Sequence, residues 1–250
     1  MTVVFCDHDV STLIRYKHKV RELETISDVS ILETASAVTE LIELLNKGGV
    51  PFVDVLLDRF IIACQYPDDF RQQACDALFS LIAEFYESEI SGALNKQTIQ
   101  AMITFLESHS PTQDGNLLLD FGCGPGLSLA ASRRTNTLIV GYERVKAVRI
   151  KALRAGLLQL HPKDLSAMPC AFSGGFASFV LHLCPDFAEL TTLLSLIVPG
   201  GYFVANFHKG KGVEQAEIAF ERSGWHVSNE TVDAPSDAGL LRVFQKVLAI

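Results

Sequence analysis

An apolar strand that runs directly into a turn with three glycines constrains the fold of this chain more than any other feature of its 250 residues. The segment from Leu117 to Leu127 reads Leu-Leu-Leu-Asp-Phe-Gly-Cys-Gly-Pro-Gly-Leu, and a helical pattern follows it. Glycine permits the positive φ that a sharp turn requires, and it leaves the backbone open to a ligand. The next helix presents free N–H groups at its start. The segment therefore predicts a strand, a ligand-binding loop and a helix.

Strands and helices alternate through the rest of the C-terminal half. This alternation predicts a mostly parallel sheet covered on both faces. The last two strands are joined by a short loop and can pair as a hairpin, which would make one strand antiparallel. The predicted strands are 117–121, 138–143, a short third strand ending at Asp164, 176–184, 202–207, 225–232 and 240–248, and the predicted helices are 127–134, 144–157, 187–197 and 213–223.

The N-terminal part has a different pattern. Apolar residues at helical spacing, separated by Gly and Pro, predict helices at Ile31–Leu45, Val50–Tyr66, Phe70–Tyr86 and Asn95–Ser108. A polar stretch with Pro and Gly then reads as a linker. We therefore divide the chain into a helical N-terminal region, 1–110, which could serve as a lid, a substrate pocket or an oligomerisation element, and a C-terminal domain, 111–250. The pattern does not place residues 1–27.

The acid two residues before the first glycine determines which ligand the loop suits. A dinucleotide site has the spacing G-x-G-x-x-G, with a pyrophosphate at the helix N-terminus. Here the spacing is G-x-G-x-G, and Asp120 would repel a phosphate. A carboxylate at this place suits a cofactor that carries an ammonium and a sulfonium.

Two acids downstream extend the predicted site. Glu143 ends the second strand, where a carboxylate can accept hydrogen bonds from both hydroxyls of a ribose. Asp164 ends the short third strand and could accept a hydrogen bond from an adenine amino group.

These segments together resemble the class I S-adenosylmethionine (SAM) dependent methyltransferases over about residues 113–250. The loop from Asp120 to Gly126 is similar to motif I of that family, and Glu143 stands where the family keeps its ribose-binding acid. The stretch from Asp164 to Phe176 resembles the family segment D-x-x-x-L-P…F-D, and Val198-Pro-Gly-Gly resembles the L-K-P-G-G turn before strand five. The resemblance implies a Rossmann-like α/β fold: a seven-stranded, mostly parallel sheet with an antiparallel last strand, here preceded by an α-helical N-terminal region.

The resemblance also implies a site and a cofactor. SAM, with S-adenosylhomocysteine (SAH) as its product, would be bound without a metal, since the sulfonium already activates the methyl group. One departure is that Ala177 follows the phenylalanine of the fourth strand, where the family often has Asp, and the stretch from Phe176 to His182 is shorter than usual. The implied cofactor-binding residues are Asp120, Gly122, Cys123, Gly124, Pro125, Gly126, Glu143, Arg144, Asp164 and Leu165.

Three polar residues are candidates for contact with a methyl acceptor. His182 ends the fourth strand beside the point where open α/β sheets bind ligands, and it could act as a general base. A histidine of the core or rim fits the pattern equally well. Asn206 and His208 end the fifth strand, where they could orient a substrate or simply form a polar strand end.

Composition excludes several classes of protein. Apolar residues make up 48% of the chain and the formal charge is −8, which favours a globular protein and argues against nucleic acid as a partner. The sequence has no apolar run long enough to span a membrane and no basic leader, and its six dispersed cysteines indicate reduced thiols, so we expect a cytoplasmic protein without a zinc site.

The sequence thus predicts a SAM-dependent methyltransferase that transfers a methyl group to an O, N or C nucleophile of a small molecule. A protein acceptor is the first alternative, because a basic peptide would be attracted by the negative charge. A module with this fold that binds SAM without methyl transfer, and a scaffold whose helical half binds a partner or forms a homodimer, also remain open.

Overall fold

The computed structural model divides into two compact units, Met1–Leu81 and Ile82–Ile250. In the first unit it describes residues 2–6, 20–26, 29–34, 52–55, 60–63 and single positions between 43 and 80. In the second unit it describes position 83 and residues 92–111, 115–132, 137–161, 170–183 and 187–248.

The first unit contains a five-stranded sheet where the sequence analysis expected helices. Its strands are β1 (Thr2–Cys6), β2 (Val20–Ile26), β3 (Val29–Thr34), β4 (Phe52–Val55) and β5 (Phe60–Ala63), in the order β2-β3-β1-β5-β4. The pair β1–β5 is parallel, and the other neighbouring pairs are antiparallel. The predicted helices are therefore wrong at residues 31–34, 52–55 and 60–63. These runs are short and rich in Val, Ile and Phe, and such runs fit a strand as well as a helix. The described positions between 72 and 80 are helical, as predicted.

The second unit contains the predicted seven-stranded sheet, in the order β11-β12-β10-β9-β6-β7-β8. Strand β12 is antiparallel to both its neighbours, and the other neighbouring pairs are parallel, so the predicted reversal of the last strand is confirmed. The strands are β6 (Asn116–Phe121), β7 (Thr137–Tyr142), β8 (Leu158–Gln159), β9 (Phe172–Ala177), β10 (Ile197–Phe207), β11 (Trp225–Val227) and β12 (Leu240–Lys246). The helices are α1 (Gly92–Ser108), α2 (Ser128–Ser132), α3 (Lys146–Ala155), α4 (Phe187–Ser195) and α5 (Val213–Arg222).

Both faces of this sheet are covered, as predicted. On one face, α1 buries Ile99, Met102, Ile103 and Leu106 in a cluster that includes Phe176 of β9. On the other face, aromatic side chains of β10, α5 and β12 form a second cluster, in which the rings of α5 and β12 stack with centroids 3.8 Å apart. Burying a side chain of this size stabilises a fold by roughly 1.5–3 kcal/mol. The two clusters hold the strands rigidly, so their ends can present side chains in fixed positions.

The fourth strand along the chain of the second unit lies earlier than predicted. Strand β9 covers Phe172–Ala177, whereas the prediction was 176–184, and Leu181–Leu183 form a 3-10 turn. Gly174 and Gly175 hid the strand from sequence reasoning, because glycine is rare inside strands. Here both are required: a Cβ on Gly175 would lie 2.9 Å from the Phe203 ring.

This shift places Ala177 at the end of the strand. That residue is the last in β9, so it does not occupy the second position of the strand. Ser173 follows the first phenylalanine, and its hydroxyl donates a hydrogen bond to the Leu117 carbonyl at 3.1 Å.

Candidate active site

Four parallel strands end at the same edge of the second sheet. Strands β6, β7, β9 and β10 are neighbours, and Asp120 of β6 lies level with Gly141 of β7 and Phe176 of β9. In open α/β sheets the crevice at the carboxyl ends of the strands is where ligands bind. The topology therefore brings the predicted glycine loop, Glu143 and His182 to one edge.

The glycine loop after β6 has the backbone that its sequence predicts. Gly122, Gly124 and Gly126 have φ values of 69°, 56° and 94°, a left-handed region that other residues adopt only at a cost. The N–H groups of Gly122 and Cys123 donate to the Tyr142 carbonyl at 2.8 and 3.2 Å, which ties the loop to β7. A Cβ on Gly122 would lie 2.5 Å from Cγ2 of Val180. The loop thus packs closely against the segment that follows β9.

Asp120 is buried beneath this loop and is incompletely satisfied. Its side chain is 2% exposed, and Oδ2 has no hydrogen-bond partner among the described residues. Burial raises the pKa of Asp120 to about 7; the charge of Glu143 adds to the rise, and the Ser128 hydroxyl partly offsets it. A buried carboxyl group with a free oxygen would gain charge stabilisation from a cation, so this position fits a cationic ligand.

Glu143 supports the loop directly. Its Oε2 accepts a hydrogen bond from the Gly124 N–H at 3.0 Å, and its Oε1 accepts one from the Val145 N–H at 2.8 Å. The Arg149 guanidinium donates to the carbonyl oxygens of Glu143 and Arg144 at 2.8 and 3.1 Å, which fixes the turn between β7 and α3. Each oxygen of a carboxylate can accept more than one hydrogen bond.

The side chain of Cys123, another predicted site residue, contacts the protein itself. Cys123 Sγ lies under the loop, where it accepts a hydrogen bond from Gln159 Nε2 at 3.1 Å and would lie 2.6 Å from a Cβ at Gly141. Burial, with the charges of Asp120 and Glu143, raises the pKa of this thiol well above its usual value, which argues against a nucleophile. The predicted contact of Cys123 with a cofactor would therefore be made by its backbone.

Arg144 follows β7, and Pro125 lies in the glycine loop after β6. Arg144 Nη1 lies 3.2 Å from Glu189 Oε1, an ion pair that joins the end of β7 to α4. Pro125 is half-buried between two left-handed glycines. Asp164, the predicted adenine contact, and Leu165, a further predicted cofactor-binding residue, lie outside the described residues, and β8 ends before them at Gln159.

His182 lies in the turn after β9 and is buried. Its Nδ1 has no hydrogen-bond partner among the described residues, and its ring centroid lies 6.1 Å from that of His208. Burial, with smaller contributions from the charges of His208 and Lys211, lowers the pKa of His182 to about 4. The imidazole is therefore neutral at pH 7 and is a weak base.

Asn206 holds the turn that carries His182. Its Oδ1 accepts a hydrogen bond from the Phe179 N–H at 2.6 Å, and its Nδ2 donates to the Ala238 carbonyl at 2.7 Å. Phe179 has a φ of 56°, a conformation that costs a non-glycine residue of order 1–3 kcal/mol. The amide thus supports a strained backbone beside the site.

Sequence reasoning missed a second support of this turn. The Ser178 hydroxyl donates to Asn95 Oδ1 at 2.7 Å, and both residues are buried. The sequence does place a polar residue, Asn95, on the apolar face of α1. Sequence alone, however, does not show whether such a residue is buried or exposed.

The described residues contain neither a metal-binding cluster nor a membrane-spanning helix. Within those ranges, no three His, Cys, Asp or Glu side chains come together in a way that could hold a metal ion. No helix in the described parts combines the length and hydropathy needed to cross a bilayer.

Comparisons with known proteins identify the fold. No protein-family model matches the sequence, and neither does any curated protein. Among solved structures, a Burkholderia thailandensis 1,6-didemethyltoxoflavin-N1-methyltransferase with bound SAH matches at 14% identity and a TM-score of 0.52, over 79% of this chain and 95% of that one. The [4+2]-cyclase SpnF matches at 14% identity and a TM-score of 0.52, over 71% of this chain and 97% of that one. The strand order, the reversed last strand and these similarities together show that the chain has the Rossmann-like fold of the class I SAM-dependent methyltransferases.

Proposed function

We propose that this protein is a SAM-dependent methyltransferase that methylates a small molecule. The observation that carries the proposal is the buried Oδ2 of Asp120, which has no hydrogen-bond partner among the described residues and lies beneath a loop of three left-handed glycines. A fold of this kind hosts more than one reaction, since the similar solved structures include a [4+2]-cyclase. The proposal therefore rests on the side chains of the site.

The loop and its two acids suit the polar groups of SAM. Asp120 would accept a hydrogen bond from the ammonium of the methionine part, and the cation would lower the raised pKa of that carboxyl. Glu143 would accept hydrogen bonds from the ribose hydroxyls while it continues to hold Gly124. Asp164 and Leu165 would contact the adenine, and Arg144 would border the same cleft.

Methyl transfer requires little acid–base chemistry from the protein. SAM supplies a methyl group that its sulfonium already activates. The chain would align the acceptor with that methyl group and exclude water, and alignment can contribute about 7–11 kcal/mol in favourable cases. A neutral His182 with a pKa near 4 suits hydrogen bonding to the acceptor better than removal of a proton.

Several features of the wider chain belong to the same proposal. The N-terminal region, 1–110, would serve as a lid, a substrate pocket or an oligomerisation element. The dispersed cysteines and the negative charge favour a cytoplasmic protein whose acceptor is not a nucleic acid. A protein acceptor remains the alternative to a small molecule.

Binding of SAM and SAH to the full chain by titration calorimetry tests the cofactor part of the proposal. We expect Asp120→Asn and Glu143→Gln each to weaken SAM binding at least tenfold, because each removes a negative charge from the cleft. Asp233→Asn and Glu221→Gln make the same changes at exposed positions and should leave binding unchanged. Undiminished affinity in a folded Asp120→Asn variant would reject the site.

Turnover across a panel of hydroxyl, amine and carbon acceptors tests the reaction itself. Formation of SAH that depends on one acceptor class would support methyl transfer. Tight binding of SAM without SAH formation across the panel would favour a binding module instead.

A further inference from the structure

Two short turns at the carboxyl edge of the sheet bring two imidazoles together. One turn, Leu181–Leu183, lies just after β9, and the other, His208–Gly210, follows β10 directly. Because β9 and β10 are hydrogen-bonded neighbours, the turns lie side by side. The rings of His182 and His208 have centroids 6.1 Å apart and planes inclined by 60°.

Each ring has a buried nitrogen that the described residues leave unpaired. These atoms are Nδ1 of His182 and Nε2 of His208. His182 is 8% exposed, so water has little access to it. Buried polar atoms in proteins nearly always have a partner, and an unmade hydrogen bond costs about 1–3 kcal/mol. A ligand oxygen that reached this pair would supply the missing partner.

The charges that act on the two imidazoles are mainly positive. Burial is the largest cause of the lowered pKa of each ring; the charge of Lys211 contributes to both, and that of Lys209 to His208. Adjacent elements also carry Glu214 and Asp237, both exposed. The two imidazoles and Lys211 are named here the basic cluster.

The basic cluster lies next to the glycine loop. Val180, two residues before His182, would be only 2.5 Å from a Cβ on Gly122. Asp120 and Glu143 belong to β6 and the end of β7, whereas the basic cluster follows β9 and β10. One sheet edge therefore has an acidic half, suited to a cation, and a basic half beside it.

We propose that the methyl acceptor is a small oxygen acid, a carboxylate or an acidic hydroxyl, and that His182, His208 and Lys211 bind its anionic form. This inference rests on the proposed function. Neutral imidazoles would donate hydrogen bonds to the anion, and Lys211 would supply the opposite charge. An ammonium acceptor would be repelled by Lys211 and would need a stronger base than His182 to remove its proton.

The anionic form also makes the chemical step simple. The acceptor oxygen forms its bond to the methyl carbon as the carbon–sulfur bond breaks, and the electron pair of that bond stays on sulfur. The acceptor has already lost its proton, so no proton moves in the step. His182 would therefore bind and position the acceptor and would not accept a proton from it.

Three ring compounds of similar size provide the test: 4-nitrophenolate, benzyl alcohol and benzylammonium. Calorimetry on the full chain, with and without SAH, should show the anion binding at least tenfold more tightly than the cation, with the alcohol between them. Lys211→Met and His208→Asn should each reduce that preference about tenfold. Arg222→Met removes the same charge at the far, exposed end of α5 and should leave the preference unchanged.

Nitrogen chemical shifts of the histidine rings give a second readout that does not depend on turnover. Addition of 4-nitrophenolate should shift the His182 and His208 resonances, and benzylammonium should not. Equal affinities for the three probes, or a preference that survives both cluster variants, would overturn the inference.

Separate titrations with SAM distinguish this inference from the proposed function. The two cluster variants should bind SAM within about twofold of the unmodified protein. A protein that binds SAM but shows no preference for the anion overturns the inference and leaves the proposed function standing. Anion preference without any binding of SAM overturns the proposed function, and the assignment of the anion as methyl acceptor fails with it.

Discussion

The two halves of the sheet edge bury titratable groups of opposite kinds. In the acidic half, burial raises the pKa of Asp120 to about 7, and in the basic half it lowers that of His182 to about 4. Desolvation is the main cause in both, since it disfavours whichever form is charged. The comparison teaches that burial favours the uncharged form of each group, so a ligand of opposite charge would shift each pKa back toward its usual value.

The largest expected effect is an opposite pH dependence of stability in the two halves. Asp120 titrates at 3.8 in the unfolded reference and at about 7 in the fold, so its contribution to the free energy of unfolding rises as pH falls from 7 to 4, by ~4 kcal/mol at most. The pKa of His182 is 6.5 in the unfolded chain and about 4 in the fold. Its contribution to the free energy of unfolding therefore falls as pH falls from 6.5 to 4, by ~3 kcal/mol at most.

Urea denaturation between pH 4 and 7.5 measures these contributions. Because they oppose each other, removing one should reveal the other: stability of Asp120→Asn should fall on acidification relative to the unmodified protein, and that of His182→Gln should rise. Parallel profiles for all three proteins would show that neither group is perturbed by burial.

A smaller effect is expected where the two halves touch, at Gly122 and Val180. Gly122→Val combines a positive φ with a collision at 2.5 Å, and we expect a loss of about 3 kcal/mol in stability together with loss of SAM binding. Gly224→Ala has a similar φ of 80° but open space around the new Cβ, so only the backbone cost of roughly 1 kcal/mol should remain. Thermal unfolding and calorimetry compare the two variants; equal losses would mean that contact with Val180 is unimportant.

Asn206 should matter for the basic half alone. Asn206→Leu keeps the approximate volume but leaves the Phe179 N–H and the Ala238 carbonyl unpaired, which should cost about 2–3 kcal/mol. We expect SAM affinity to change little and 4-nitrophenolate binding to weaken. Asn229→Leu, at an exposed position, is the control in urea denaturation. An equal loss of affinity for both ligands would show that the halves are not separable.

The smallest predicted effect is proton release when SAM binds. A cation next to Asp120 favours the carboxylate, so SAM affinity should rise about tenfold between pH 6 and pH 8. Calorimetry in buffers of different ionisation enthalpy counts the protons released, up to one near pH 6. The number of protons released by the Asp120→Asn variant should approach zero. Proton release that persists in this variant would have to come from another group.

Sequence reasoning predicted the acidic half far better than the basic half. The loop from Asp120 to Gly126 and the acid at Glu143 form a local pattern, because a strand, a tight turn and a helix N-terminus are encoded by adjacent residues. The double hydrogen bond of Glu143 to Gly124 and Val145 was not predictable, since it depends on how two turns approach each other.

The basic cluster and the N-terminal sheet depend on long-range contacts. His182 and His208 meet only because β9 and β10 end side by side, and the glycines that mask β9 moved its predicted end by several residues. At 52–55 and 60–63 the apolar runs are too short for their period to distinguish strand from helix. Strand pairing, which sequence alone does not reveal, decided between them.

Helix α1 has a practical consequence for anyone who expresses part of this protein. It belongs to the second unit, its apolar side lies on the sheet, and Asn95 anchors Ser178 from it. A fragment that begins at residue 111 would expose Leu118 and Val204 to water and would invite aggregation. A fragment that begins at residue 82 retains this cover, so it is the truncated protein that we would clone.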